Sequence, residues 1–95
     1  MNFREHRAKV RADVMFQEVS GELVLLDLNS ESYFGLDAVG TRIWQLIAED
    51  GNLQRVFECM LTEYAVEPEK LEQDLTELVT GLRDNGLIEI VGLED

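Results

Sequence analysis

The chain has 95 residues, 45% of them hydrophobic and 29% charged, with a formal net charge of −12. That length holds one domain and excludes a second core, and the apolar share excludes disorder as the default state. So large an acidic excess repels phosphate backbones, which are held by Lys and Arg; it suits a basic peptide or protein, or plain solubility.

The charge is unevenly spread. Residues 1–11 carry Arg4, Arg7, Lys9 and Arg11 against Glu5, whereas residues 12–95 hold four basic groups against nineteen acidic ones. Residues 1–10, with His6 as the chain's sole histidine, read as a flexible polar tail of a single domain spanning 1–95. No early apolar run has the length of a signal peptide, and no stretch suits a membrane span. Cys59 stands alone, so no intrachain disulfide can form. The expectation is therefore a cytoplasmic protein without membrane contact.

After the tail come three short apolar runs, from about Asp13 to Val19, Glu22 to Leu28 and Ser32 to Leu36. Ser20-Gly21 and Asn29-Ser30 separate them, which predicts a three-stranded antiparallel meander. In the second run Val24, Leu26 and Leu28 share one face, and Leu23, Leu25 and Asp27 the other. In the third, Phe34 and Leu36 point into the core and Tyr33 lies on the opposite face.

Helical periodicity takes over from Asp37, a good N-cap. The first helix runs to about Glu49 with Val39, Ile43, Leu46 and Ile47 as its stripe and Trp44 broadening it, and Asp50-Gly51 ends it. Asn52 caps a second helix over 53–64, where Leu53, Val56, Phe57, Met60 and Leu61 face inward. Pro68 suits the first position of a third helix bearing Leu71, Leu75, Leu78, Val79 and Leu82, stopped by Asn85-Gly86. Leu87 to Val91 reads as a closing strand. The fold class is α+β: a winged helix-turn-helix in which an N-terminal three-stranded antiparallel sheet precedes three helices and a short C-terminal strand.

The residue types that carry catalysis are missing. A single tail histidine leaves no histidine-based triad, no Cys/His group has metal-ligand spacing, and the glycines form neither a phosphate loop nor a dinucleotide fingerprint. Neither an enzyme nor a cofactor is expected. Cys59, beside Phe57 and Met60, reads as a buried packing residue. Glu67, Glu69, Glu72, Asp74 and Glu77 cluster on the third helix, as a solvated face or as an acidic rim for a basic ligand.

The run Ser32-Tyr33-Phe34-Gly35-Leu36-Asp37-Ala38-Val39-Gly40-Thr41-Arg42-Ile43-Trp44-Gln45-Leu46-Ile47 resembles the PqqD family, the recognition elements of peptide-modifying pathways. The likeness continues through Leu61–Tyr64, Glu67-Pro68-Glu69, Asp74-Leu75 and Gly86-Leu87-Ile88, and covers roughly residues 10–91. It is closer to the stand-alone members of lasso-peptide pathways than to those of pyrroloquinoline quinone synthesis. The latter tend to have a proline in the strand and an asparagine at the helix start, where this chain has Asp37. The turn at Asn29-Ser30-Glu31 also lacks the glycine common there.

The resemblance implies a non-catalytic adaptor that binds the leader peptide of a ribosomally synthesised, post-translationally modified precursor. In the family the leader adds as a strand beside the third strand, its side chains entering a groove against the third helix. Carried over, the binding residues are Glu31, Ser32, Tyr33, Phe34 and Gly35 on the edge, with Leu71, Glu72, Asp74, Leu75 and Leu78 on the helix. Tyr33 would supply an aromatic wall and Gly35 room for backbone approach. Glu72 and Asp74 would pair with Lys or Arg of the leader, each such pair contributing about 0.2–1 kcal/mol. Gly40, Trp44 and Tyr64 are family-like residues with structural roles.

The partners implied are the precursor leader and a modifying enzyme or leader peptidase of the same pathway, with no nucleic acid. Homodimerisation through the exposed strand edge is a further expectation. The alternative, a winged-helix DNA-binding regulator, has the fold outline in its favour. Against it stands a third helix that offers Lys70, Gln73, Arg83 and Asn85 amid five acids.

Overall fold

A computed structural model describes residues 2–29 and 31–92. A short 3-10 turn, Phe3–Glu5, leads into β1 (His6–Val10), followed by β2 (Val14–Val19), β3 (Glu22–Asp27) and β4 (Ser32–Leu36). The helices are α1 (Ala38–Glu49), α2 (Leu53–Glu63) and α3 (Pro68–Asp84), and β5 (Ile88–Gly92) closes the chain. The expected α+β order is present, with strand and helix limits within one or two residues of those predicted.

The meander forms as a sheet of order β2-β3-β4. Ser20 (φ 54°) and Gly21 (φ 82°) both take left-handed backbone in the two-residue turn between β2 and β3, the combination whose twist suits a tight hairpin. The second turn, expected at Asn29-Ser30, is described only in part because Ser30 lies outside the described residues. Glu31 there takes the left-handed φ of 57° that a glycine would adopt more easily. Register pairs Leu25 with Phe16 on one side and Phe34 on the other, and Leu26 with Met15 and Tyr33. Period-2 alternation then sends Leu23, Leu25 and Asp27 inward and leaves Val24 and Leu26 outside.

The sequence predicts a flexible tail over residues 1–10; the structure corrects this. Residues 6–10 form β1, which pairs antiparallel with β5 in a second, two-stranded sheet, Ala8 opposite Ile90. The strand is hard to read because only small Ala8 is fully buried while Arg7 and Lys9 point out. Phe3 is buried as well, its ring 5.7 Å from that of Phe57. Residues 93–95 lie outside the described residues.

Local chemistry sets each helix start. Asp37 accepts a hydrogen bond from the Gly40 amide (2.8 Å), and Asn52 from the Arg55 amide (3.2 Å). Pro68 opens α3, where its missing N–H leaves no helical bond unmade. Gly51 and Gly86 end α1 and α3 with positive φ. The core gathers the inner face of the meander, Trp44 and Ile47 of α1, Val56 and Met60 of α2, and Leu75, Val79 and Leu82 of α3. Leu53, Met60, Leu75 and Leu82 have no exposed surface at all.

Two side chains depart from expectation. Val39, assigned to the inward stripe of α1, stays exposed at the helix start. Cys59, expected to pack, is exposed: the buried line of α2 runs through Leu53, Val56 and Met60, and Cys59 falls about 100° round the helix from Met60.

Candidate functional site

Within the described residues β4 pairs only with β3, so its other edge presents unpaired backbone N–H and C=O groups. That edge borders an open groove of about 390 Å³ between the sheet and α3. Phe34, Gly35 and Leu36 of β4 form one wall, Val39, Gly40 and Ile43 of α1 the floor, and Leu78 with Asp74 of α3 the far wall. Asp37 also lines it. The lining is apolar except for two carboxylates.

Buried ties fix the shape of this groove. The Thr41 hydroxyl accepts a hydrogen bond from the Leu23 amide (3.0 Å) and donates to the Leu36 carbonyl (3.4 Å), pinning α1 to both β3 and β4. Gly40 lies so close to Leu36 that a Cβ would meet its side chain at 3.3 Å, so glycine lets the helix start approach the strand. Lys70 of α3 donates to Asp74 at 2.9 Å. This hydrogen bond, aided by the Coulomb attraction of Asp74, raises the Lys70 pKa above its ordinary value.

The ten residues singled out by the sequence divide sharply. Phe34 and Gly35 line the groove from β4, and Leu78 and Asp74 line it from α3. Tyr33 is on the same strand but faces away, 77% exposed on the outer side of the sheet. A Cβ at Gly35 would meet nothing within 4 Å, so the space beside it is open. Glu31 stands exposed at the head of β4. Ser32 is placed by its backbone, which pairs with Asp27; its side chain lies outside what is described.

The remaining three are not in the groove. Leu71 and Leu75, expected to reach a ligand, are core residues with 4% and no exposure. The reason is helical geometry: one stripe carries Leu71, Leu75, Val79 and Leu82 into the core, and only Leu78, off its edge, turns toward β4. Glu72 lies on another side of α3, lining a hollow with Phe3, Gln54 and Phe57. Conversely, the groove floor of Val39, Gly40 and Ile43 was not assigned to the site by sequence. Val39 and Ile43, four residues apart, share a face that continues past the core at the start of α1.

Among the described residues no group of three or more His, Cys, Asp or Glu could hold a metal ion, and no helix is long and apolar enough to cross a membrane. The arrangement is an apolar slot beside a main-chain edge that is free among the described residues. It can bind an extended chain through backbone hydrogen bonds and take alternate side chains into the slot.

Fold and site together define a small α+β domain of winged-helix outline that presents an open sheet edge to its third helix. The family of coenzyme PQQ synthesis protein D (PqqD) matches residues 22–88, and the chain belongs to the PqqD family. Among solved structures it resembles TbiB1 in complex with the TbiA(beta) leader peptide, with a TM-score of 0.81 and 36% sequence identity over 85% of this chain and 94% of that one. It also resembles a lasso peptide synthetase B1 complexed with the leader peptide, with a TM-score of 0.79 and 28% identity over 87% of this chain and 98% of the other. No curated protein sequence gives a significant match.

Proposed function

We propose that the chain is a non-catalytic adaptor of a lasso-peptide pathway. It captures the leader of a ribosomally made precursor and presents it to a processing enzyme, a protease, cyclase or other tailoring enzyme. The observation that carries this reading is the free β4 edge beside an apolar groove, in a chain 36% identical to a protein solved with a leader peptide. The leader adds antiparallel or parallel to β4 along Glu31–Leu36, with side chains entering between Phe34 and Leu78. Asp74 and Asp37 at the groove draw Lys or Arg of the leader.

The DNA-binding alternative shares the winged-helix outline but is opposed by charge. The exposed side of α3 carries Glu69, Glu72, Asp74 and Glu77, a face that repels phosphate. The test is isothermal titration with a synthetic leader from the precursor encoded beside this chain's gene. One-to-one binding, micromolar or tighter, is expected; a folded protein that ignores this leader overturns the adaptor reading.

A further inference from the structure

The outer face of the meander is an exposed apolar surface that its own fold does not explain. Alternation should place polar side chains on a solvent-facing sheet surface, yet Met15 (58% exposed), Leu26 and Tyr33 form one row across β2, β3 and β4. Gln17, Val24 and Gly35 form the next. These rows border a shallow hollow of about 440 Å³, and Phe16 reaches it from the free edge of β2, 60% exposed. An apolar centre of this kind marks an interaction surface, because lone exposed apolar residues are common but contiguous patches are not.

The charge around it states what kind of partner fits. From residue 12 to residue 41 there is no Lys or Arg, and the exposed acids that share the outer face are Glu22 at the start of β3 and Glu31 at the head of β4. Exposed Glu22 and Glu31 stand at the two ends of the apolar rows. An apolar centre with a polar rim is the anatomy of a protein interface, and here carboxylates stand at both ends of the centre. A second copy would bring acid against acid, on molecules that each carry −12. The face is also continuous with the candidate peptide edge, since Tyr33 belongs to β4.

We infer that the outer sheet face, centred on Met15, Val24, Leu26 and Tyr33, docks a separate protein whose contact surface has an apolar centre and a basic rim. Resting on the adaptor reading, that protein is the processing enzyme which acts on the captured peptide. Docking there places the enzyme beside the β4 edge while the groove, on the other side of the sheet, stays filled by peptide.

The test uses the full chain, the leader peptide and the purified processing enzyme encoded beside the chain's gene. Two double variants are compared with the wild type, Met15→Lys with Leu26→Lys, and the milder Met15→Ser with Leu26→Thr. Melting curves and Trp44 emission check that each is folded. Leader affinity should stay within about twofold, while enzyme affinity falls at least about tenfold in the Lys variant and less in the Ser/Thr variant, since buried centre residues dominate interfaces. Unchanged enzyme affinity in both variants, or no enzyme binding by the wild type, overturns the inference. So does light scattering that shows a wild-type dimer broken by the Lys variant, which gives the face to a second copy. Face-dependent enzyme binding by a chain that ignores the leader sinks the adaptor reading and leaves the docking face standing.

Discussion

Thr41 is where a single hydroxyl holds the sheet to the helix that floors the groove. It is buried, accepting from the Leu23 amide and donating to the Leu36 carbonyl. Thr41→Val keeps the shape but orphans the Leu23 amide, so a loss of about 1–3 kcal/mol in urea unfolding is expected, with Thr41→Ser close to wild type. Leu75 and Leu78, three residues apart, separate core from groove in the same manner. Leu75→Ala should cost about 2–5 kcal/mol of stability, because a fully buried side chain leaves a cavity. Leu78→Ala, at a half-buried side chain on the core's edge, should cost clearly less stability, about 1 kcal/mol, yet weaken leader binding about fivefold or more, equal to ~1 kcal/mol. Equal effects of the two substitutions on both measurements would contradict the assignment. The sequence placed both leucines on one helix but could not divide them. Their exposure depends on where β4 passes, a long-range fact absent from helical spacing.

At the scale of elements, what repeats locally was legible and what pairs across the chain was not. The meander shows a period of two between turn residues, and all three helices carry a stripe with a start signal, the caps Asp37 and Asn52 or Pro68 at the first position. The limits of β2, β3, β4 and the helices therefore follow from neighbours a few residues apart. β1 gave no such signal: its partner β5 lies about 80 residues on, and one alanine is its only fully buried side chain. Gly51 secures that strand. Its amide plane lies against β1, its carbonyl accepting from the Ala8 amide at 2.8 Å, and a Cβ would stand 2.5 Å from the Ala8 carbonyl oxygen. With φ at +83°, Gly51→Ala should cost about 1–3 kcal/mol and selectively speed amide exchange in β1 and β5. Loss spread evenly over all strands would argue against it. α1 and α2 are joined by Arg42, which grips Glu63 through two hydrogen bonds of 2.8 and 2.9 Å. That grip holds the Glu63 pKa below the ordinary glutamate range. A lowered folded pKa means that the stabilisation is complete above the unfolded value and fades as pH falls through the folded one. The melting-temperature gap between wild type and Arg42→Gln should accordingly be present at neutral pH and close in acid. A gap that persists in acid would show that Arg42 acts through packing instead.

The molecule as a whole carries −12 on a chain of 95 residues, and this excess acts at long range where no single contact does. On the proposed reading, a leader bearing Lys or Arg would be drawn to such a surface before any backbone bond to β4 formed, so charge would govern the approach and the apolar groove the stay. Screening separates these two contributions. Raising ionic strength from about 0.01 M to 1 M shortens the Debye length from roughly 30 to 3 Å, which removes attraction beyond the immediate contact. Stopped-flow association should slow by about tenfold or more over that range while the dissociation rate changes little. Asp74→Asn tests whether the groove acid contributes locally. It frees Lys70 from its 2.9 Å pair and leaves a positive charge beside the groove, so a basic leader should bind about two- to fivefold more weakly at low salt, in keeping with an exposed pair. The same variant should match wild type at high salt, and Leu78→Ala should keep its defect at every salt concentration. Association that ignores salt would mean that the acidity serves solubility alone, and that main-chain pairing and the groove supply the whole of recognition.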